Sequence, residues 1–406
     1  MSVRTAPRLS LLLLAYFAFV SLGLPDGLLG VGWPSISADF AVPTEAVGLL
    51  LTASTAGYLT SSVAAGFTIS RLGIGWLLAG STGLTCLALV GYTASPVYAL
   101  LIGCALLLGF GGGAIDSGLN AFAAGAFGPR HMNWMHAFFG LGVALGPLIM
   151  TTVLATGFSW RWGYGIVAAA QAVLALSFVL TVKAWSRREP AAGAGEEPPA
   201  RPAPVPVRET LTLPAVWFGA LAFAVYVAVE VTAGLWAYLL LTEGRGLSAT
   251  VAGICVSGYW GSLFVGRVVQ GVVAERLGSS TVLTGSLVGM VVGAVLVALP
   301  APGWVAVVGL AIIGFGAAPV FPLLTLTTAE RVGVEHADRT IGLQIGAAGL
   351  GGAAIPAGVG VLLGRVDVEL LGPALVVLSV ALLALYAAST RRPARIGATA
   401  APGPDA

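Results

Sequence analysis

The sequence predicts an all-α integral membrane protein of about twelve spanning helices, built as two parallel six-helix repeats. Three observations carry that expectation. Of 406 residues, 57% are apolar and only 9% are charged, whereas a soluble domain carries about 25% charged residues. So few charges cannot cover a water-facing surface. The apolar residues fall into runs of roughly 18 to 25, the length a helix needs to cross about 30 Å of hydrocarbon. Finally, stretches of the first half recur about 205 positions later in the second.

The first run, 9–31, follows Arg4 and Arg8 and has the look of a secretory signal. Signal cores run only about 7 to 15 residues and end in a small-residue cleavage pattern, which is missing here, so the run is read as an uncleaved first helix. Further segments are expected at 45–68, 74–93, 97–126, 133–156, 160–184, 213–241, 248–273, 279–299, 303–328, 339–363 and 370–390. Most breaks between them are short and rich in Gly, Pro or charge. The exception runs from Lys183 to Thr212, whose Pro, Ala and charge content is that of a solvated linker without apolar periodicity. The expected organisation is a bundle over 1–184, a linker over 185–212, a second bundle over 213–390 and a disordered cytoplasmic tail over 391–406. The 57 glycines suit close helix approach in lipid. Cys86, Cys104 and Cys255 lie inside apolar segments without metal-type spacing, and are read as small core residues.

Orientation follows from Lys and Arg, which accumulate in short cytoplasmic loops. With both termini inside, sixteen of the nineteen basic residues fall on the cytoplasmic side, leaving Arg161, Arg245 and Arg365 outside. One missed helix would scramble that split. A tryptophan beside Arg161, either Trp160 or Trp162, is expected as an interfacial anchor.

The repeats are specific. Gly66 to Gly73 (GFTISRLG), between segments 2 and 3, matches Gly271 to Gly278 (GVVAERLG), between segments 8 and 9. Gly109-Phe-Gly pairs with Gly314-Phe-Gly, and GLGVALGP (Gly140 to Pro147) pairs with GLGGAAIP (Gly349 to Pro356). Parallel repeats of this kind describe a transporter whose halves rock about a central site. The six-plus-six plan and the repeated G-x-x-x-x-R-x-G loop resemble the major facilitator superfamily along essentially the whole chain. Ser70 stands where that loop has an Asp, and Ile74 and Gly75 replace its second basic pair; Glu275 supplies the acid in the second copy. GLPDGLLGVGWP, GAIDSGLNAF and MNWMHAFFGLGVALGP, in segments 1, 4 and 5, are similar to the branch of fucose permeases and related sugar/proton symporters. The resemblance implies conformational gating by Gly66, Arg71, Gly73, Gly271, Glu275, Arg276 and Gly278, with the arginines pairing to acids or helix ends.

Of seventeen acidic residues only Asp26, Asp116 and Glu230 are expected deep in the membrane. A carboxylate there costs several kcal/mol unless it meets a wet cavity, a partner or a proton. Burial favours the protonated form of a carboxyl, which suits proton coupling near neutral pH; the alternative for each is a helix-to-helix hydrogen bond. Asp26 and Glu230 differ by 204 positions, so one carboxylate from each half is expected at a shared cavity. Pro25 and Gly27, flanking Asp26, would break or kink the helix. Asn120 shares a helix face with Asp116, and Tyr226 with Glu230. Trp260 and Phe264 lie on one face of segment 8; rings beside a carboxylate can stack on a sugar, although packing is the alternative for each. His136, read as the one spanning histidine, suits either a proton relay or a structural hydrogen bond. Arg267 is expected to snorkel to the cytoplasmic interface or pair with a loop acid.

The expected function is secondary transport of a small polar, sugar-like solute by proton symport, with drug or metabolite export by proton antiport as the alternative. GLGVALGP partly echoes an antiporter glycine motif, but Leu148-Ile-Met150 follows its Pro. An enzyme is not expected, because no metal-ligand spacing, phosphate-cradling Gly loop or serine elbow occurs. No cofactor or metal is expected. The partners are the bilayer, the solute and protons, with sodium as a further possibility and no nucleic acid; the protein is expected to act as a monomer in the inner membrane.

Overall fold

A computed structural model describes residues 9–127, 129–185 and 205–390 of the protein. Twelve spanning helices occur among them, each drawn from one apolar run. In the first half they are α1 (Leu9–Asp39), α2 (47–72), α3 (74–94), α4 (Tyr98–Ala126), α5 (Pro129–Ala155) and α6 (Trp160–Thr181). The second half has α7 (Pro214–Leu239), α8 (Ala249–Leu277), α9 (Ser279–Ala298), α10 (Gly303–Ala317, continued after Pro319 by Val320–Leu326), α11 (Val334–Arg365) and α12 (Leu371–Thr390). α2 and α3 run on as one helical stretch, Val47–Ala94, far longer than a bilayer is thick. It is divided at Gly73, where φ is +77° and ψ 163°. Gly278 ends α8 at φ +82° and ψ 146°. Only glycine adopts that backbone region without strain, so both copies of the repeated loop turn on their last residue.

The glycine-rich repeats explain how the helices pack. A Cβ placed on Gly142 of α5 would collide with the Val20 carbonyl oxygen of α1, and one on Gly146 would stand 2.7 Å from the Leu24 carbonyl oxygen. Gly23 and Gly27 of α1 interleave with the same stretch of α5. In the second half Gly351 of α11 meets the Ala224 carbonyl of α7, and Gly352 meets Val227. The first and fifth helices of each half are therefore locked by the same small-residue contact. Pro25 does not break α1, which is helical from Leu9 to Asp39; Gly27 is a packing residue against Val143 and Pro147. Of the two expected outcomes, a break or a kink, the break beside Asp26 is not formed.

Several expected boundaries shift. α5 begins at Pro129 and α11 at Val334, each four or five residues early. His131 and His336, expected in loops, are consequently on helices: His131 Nδ1 bonds the Tyr16 hydroxyl at 2.7 Å, and His336 is buried against Thr210 at 2.9 Å. Part of the expected linker is ordered. Trp185 is buried against Phe122 and Phe178, Val207–Thr212 is a short helix, and Arg339 donates to the Val205 carbonyl. Residues 186–204 and the tail 391–406 lie outside the described residues.

The end remote from the linker is closed between the halves. Here α2 lies along α11, with Thr44 against Gly364, Gly48 against Ala357 and Thr55 against Gly349, and Gly30 of α1 meets the Gly234 carbonyl of α7. Arg365 bonds Glu45 across this seam at 2.9 Å. On the same faces nearer the linker, Gly66, Gly342 and Gly346 face open space. The α2–α11 seam therefore parts toward the linker end. The α5–α8 seam continues further, through Ser257 donating to the Ala144 carbonyl at 2.6 Å and Phe264 against Gly140.

All three arginines that sequence places outside are neutralised at the closed end. Arg161 pairs with Asp39 and donates to the Ser95 carbonyl that ends α3. Arg245 pairs with Glu369 at 2.7 Å and donates to Leu299 and Ala301 at the end of α9. Cations at helix C-termini are favoured by the unpaired carbonyls there. Trp162 is 61% exposed, as an interfacial anchor is, whereas Trp160 is buried with its indole nitrogen on Asp39.

Arg365–Glu45 is the one of these pairs that joins the two halves. An exposed ion pair contributes about 0.2–1 kcal/mol, so Arg365→Glu is expected to shift the closed-to-open ratio at this end by up to about fivefold. Distances between spin labels flanking the pair should broaden in Arg365→Glu and recover in the Glu45→Arg/Arg365→Glu double swap. Identical distributions in all three proteins would show that the pair has no gating role.

Candidate functional site

The acidic cluster of the first half lies where α2 crosses α4. Gly109 and Gly113 of α4 let the two backbones meet, their Cβ positions falling on the Ser54 and Tyr58 carbonyls. That approach brings the Tyr58 hydroxyl 2.7 Å from one oxygen of Asp116, while the Asn120 amide donates to the other at 2.9 Å. Asp116 and Asn120 thus meet as the helix spacing predicts. Both remain half-buried, with Asp116 an acceptor held by two donors.

In the second half Glu230 of α7 accepts from the Tyr226 hydroxyl, one turn before it, and its backbone carbonyl accepts from Tyr259 of α8 at 2.8 Å. Tyr226 is 1% exposed and packs near Phe321, so it orients Glu230 and presents no free ring face. Trp260, 9% exposed, fills the notch above Gly234 and stands edge-on to Tyr259. The expected stacking platform of Tyr226, Trp260 and Phe264 is not assembled, because two of its rings are spent on helix packing. Phe264 lies at the seam against Gly140, where it is half-buried.

Between the two acids stand His136 and Arg267. His136 is accessible to water, with its ring edge-on to Phe19 at 5.2 Å. The Arg267 guanidinium donates to the His136 carbonyl at 3.2 Å, and it forms no ion pair among the described residues. Asp116 and Arg267 both lie within electrostatic reach of His136, and Glu230 and Arg267 of Tyr226 and Tyr259. Arg267 therefore does not snorkel to a loop acid: it crosses the seam and links the polar groups of the two halves. Side chains of both signs from α4, α5, α7 and α8 surround this chamber, an arrangement suited to a solute with several hydrogen-bonding groups.

Asp26 is exposed; it borders a small cavity lined by Leu29, Ser54, Tyr92 and Tyr164 among others and lies within electrostatic reach of Tyr58, the partner of Asp116. Arg71 and Arg276, expected to latch neighbouring helices, are exposed and make no ion pair among the described residues. Gly66 faces open space, Gly73 and Gly278 make the turns, and the surroundings of Gly271 and the side chain of Glu275 lie outside the described residues.

Tyr58, Tyr259 and Arg267 were not among the residues singled out for the site. A signal existed for the tyrosines: Gly57-Tyr58-x-x-Ser61 recurs 201 positions later as Gly258-Tyr259-x-x-Ser262. In both halves the serine hydroxyl bonds the tyrosine carbonyl, at 3.1 and 2.7 Å, and a glycine, Gly113 or Gly314, packs over the pair.

Twelve spanning helices in two repeats, closed at one end around a polar chamber, define a multi-pass membrane transporter. The family model of the Major Facilitator Superfamily matches residues 15–356, and the chain belongs to that superfamily. It is 23% identical over 421 residues to Bypass of stop codon protein 6 of Saccharomyces cerevisiae, covering 95% of this chain and 83% of that protein. It is 31% identical over 170 residues to the Cercosporin MFS transporter CTB4 of Cercospora nicotianae, covering 40% of this chain and 33% of that one. Among solved structures it superposes on the nucleoside transporter NupG with a TM-score of 0.69 at 16% identity, covering 95% and 99% of the two chains. The transporter FucP in the outward conformation gives 0.61 at 16% identity, covering 94% and 99%. These structural likenesses speak for the fold alone.

Proposed function

We propose that the protein moves a small polar, sugar-like solute across the plasma (inner) membrane by alternating access, as a proton symporter, with both termini and the linker cytoplasmic. Halves 1–184 and 213–390 rock about the chamber, which in this state opens toward the linker. The observation that carries this reading is the chamber itself, in which Asp116 and Glu230 approach from opposite halves with His136 and Arg267 between them. Protons exchange at the two carboxyls. Asn120, His136 and Arg267 offer hydrogen bonds to solute hydroxyls, and Phe264 offers the apolar contact. The structural neighbours include transporters named for a nucleoside and for fucose, which fits a polyhydroxyl solute.

Export by proton antiport is the second reading, favoured by the match to a transporter named for cercosporin. The chamber's charged lining speaks for the polar solute, since a greasy compound would strand these groups without partners. Proteoliposomes with an imposed pH gradient separate the two. Symport predicts gradient-driven accumulation of a sugar or nucleoside with co-directional proton flux. Counter-directional flux driven by hydrophobic cations, with no response to sugars or nucleosides, would overturn it.

A further inference from the structure

Among the described residues, no acid pairs with the guanidinium of the chamber. Arg267 of α8 reaches α5 at Gly140, whose missing side chain leaves Nη1 3.7 Å from the point a Cβ would occupy. The hydrogen bond it makes there goes to the His136 carbonyl. The acids of the two halves are engaged elsewhere: Asp116 accepts from Tyr58 and Asn120, and Glu230 accepts from Tyr226. Arg267 is half-buried, so its remaining N–H groups stay open to a solute.

An arginine stays charged at any physiological pH and carries its N–H donors in a fork that fits a carboxylate. A solute hydroxyl would satisfy one donor and leave the charge. A carboxylate satisfies two and balances it. A phosphate ester would bring about two negative charges, and Arg267 is the one cation that acts on His136, Tyr226 and Tyr259, the groups it faces from α5, α7 and its own helix.

We propose that the solute is a sugar acid, a polyhydroxyl compound with one carboxylate, and that Arg267 holds the carboxylate. The assignment rests on the sugar-like solute proposed above and narrows it. Ionised Asp116 and Glu230 would repel the incoming carboxylate, so solute and protons bind together, each favouring the other by the same factor.

The test is thermal unfolding of the purified full-length protein titrated with the sodium salts of D-glucuronate, D-galacturonate and D-gluconate, and with D-glucose and D-galactose in equal sodium chloride. A ligand of the folded state raises the unfolding temperature, and the concentration giving half the rise is compared between each acid and its neutral parent. At least one acid should act at a concentration about 10- to 100-fold below its parent, the range of a hydrogen bond to a charged group. Arg267→Gln should bring that ratio close to one. Arg267→Lys, which keeps the charge and loses the fork, should leave part of it. A merely structural arginine would weaken acid and parent alike and leave the ratio fixed. A parent sugar acting at or below the concentration of its acid, or an unchanged ratio in Arg267→Gln, would overturn the carboxylate and leave a neutral sugar-like solute standing. Stabilisation by a hexose phosphate alone would overturn it in favour of phosphate. No response to any acid or parent would remove the sugar-like reading together with it.

Discussion

Asp116→Asn and Glu230→Gln are each expected to lower proton-driven solute uptake by about 10- to 100-fold while leaving folded protein at normal yield. The size follows from the bonds weakened, since each amide keeps one acceptor oxygen and replaces the other by an NH2 donor. Asp116 accepts from Tyr58 and Asn120, and Glu230 from Tyr226; a hydrogen bond to a charged group contributes about 1.5–3 kcal/mol, and about 1.4 kcal/mol is a factor of ten. Neither amide can take up or release a proton in the physiological range. Exchange of solute down its own gradient should suffer less than uphill uptake, because exchange needs no net proton movement. Tyr58→Phe separates the two contributions of Asp116: it removes one donor and keeps the carboxyl, so it should weaken uptake without uncoupling it from the pH gradient. Equal uphill uptake by Asp116→Asn, Glu230→Gln and the unaltered protein in proteoliposomes would remove these acids from the mechanism.

Gly142→Leu is expected to abolish the folded protein. A side chain at Gly142 must displace the Val20 carbonyl of α1, and overpacking a tight interface costs about 1–3 kcal/mol or more. That is a large share of a total stability of about 5–15 kcal/mol. Leucine adds three carbons beyond the Cβ that already collides. Gly103→Leu is the control, since Gly103 lies on the exposed face of α4 with open space around it. Fluorescence-detected size exclusion and thermal unfolding in detergent should show a monodisperse, stable Gly103→Leu protein and an aggregated Gly142→Leu protein. Comparable stability of the two would contradict the close approach of α1 and α5.

The same contact shows what was legible in the sequence. Apolar run length and the basic-residue asymmetry located twelve helices, and the G-x-x-x-x-R-x-G repeat located the two turns at Gly73 and Gly278, because both signals are local. GLGVALGP was legible as a repeat, yet its purpose, backbone contact with α1, depends on a partner more than a hundred residues away. The acids were legible through the cost of charge in hydrocarbon. Their partners were less so: helical spacing finds Asn120 for Asp116 and Tyr226 for Glu230, whereas Tyr58, Tyr259 and Arg267 come from other helices. Spacing also misled. Aromatic residues at helical spacing look the same whether they face a cavity or fill a notch such as the one above Gly234.

Snorkelling assigned Arg267 to the interface, because a long cation near a helix end ordinarily reaches for water. Contact with the His136 carbonyl across the seam holds it in the chamber instead. The loop arginines Arg71 and Arg276 are unlatched in a state whose seam is parted at their end. A latch that forms only when the linker end closes would be consistent with both observations.

Solute protection of a cysteine in the chamber tests the central claim most directly. With Cys86, Cys104 and Cys255 replaced, the Asn120→Cys variant should react with a membrane-impermeant thiol reagent applied from the linker side. A transported solute should slow that reaction in proportion to its occupancy, and a solute that is not transported should leave it unchanged. If the introduced thiol reacted at the same rate with and without every transported solute, or only with lipid-soluble reagents, the chamber beside Asp116 would not be the place where solute binds.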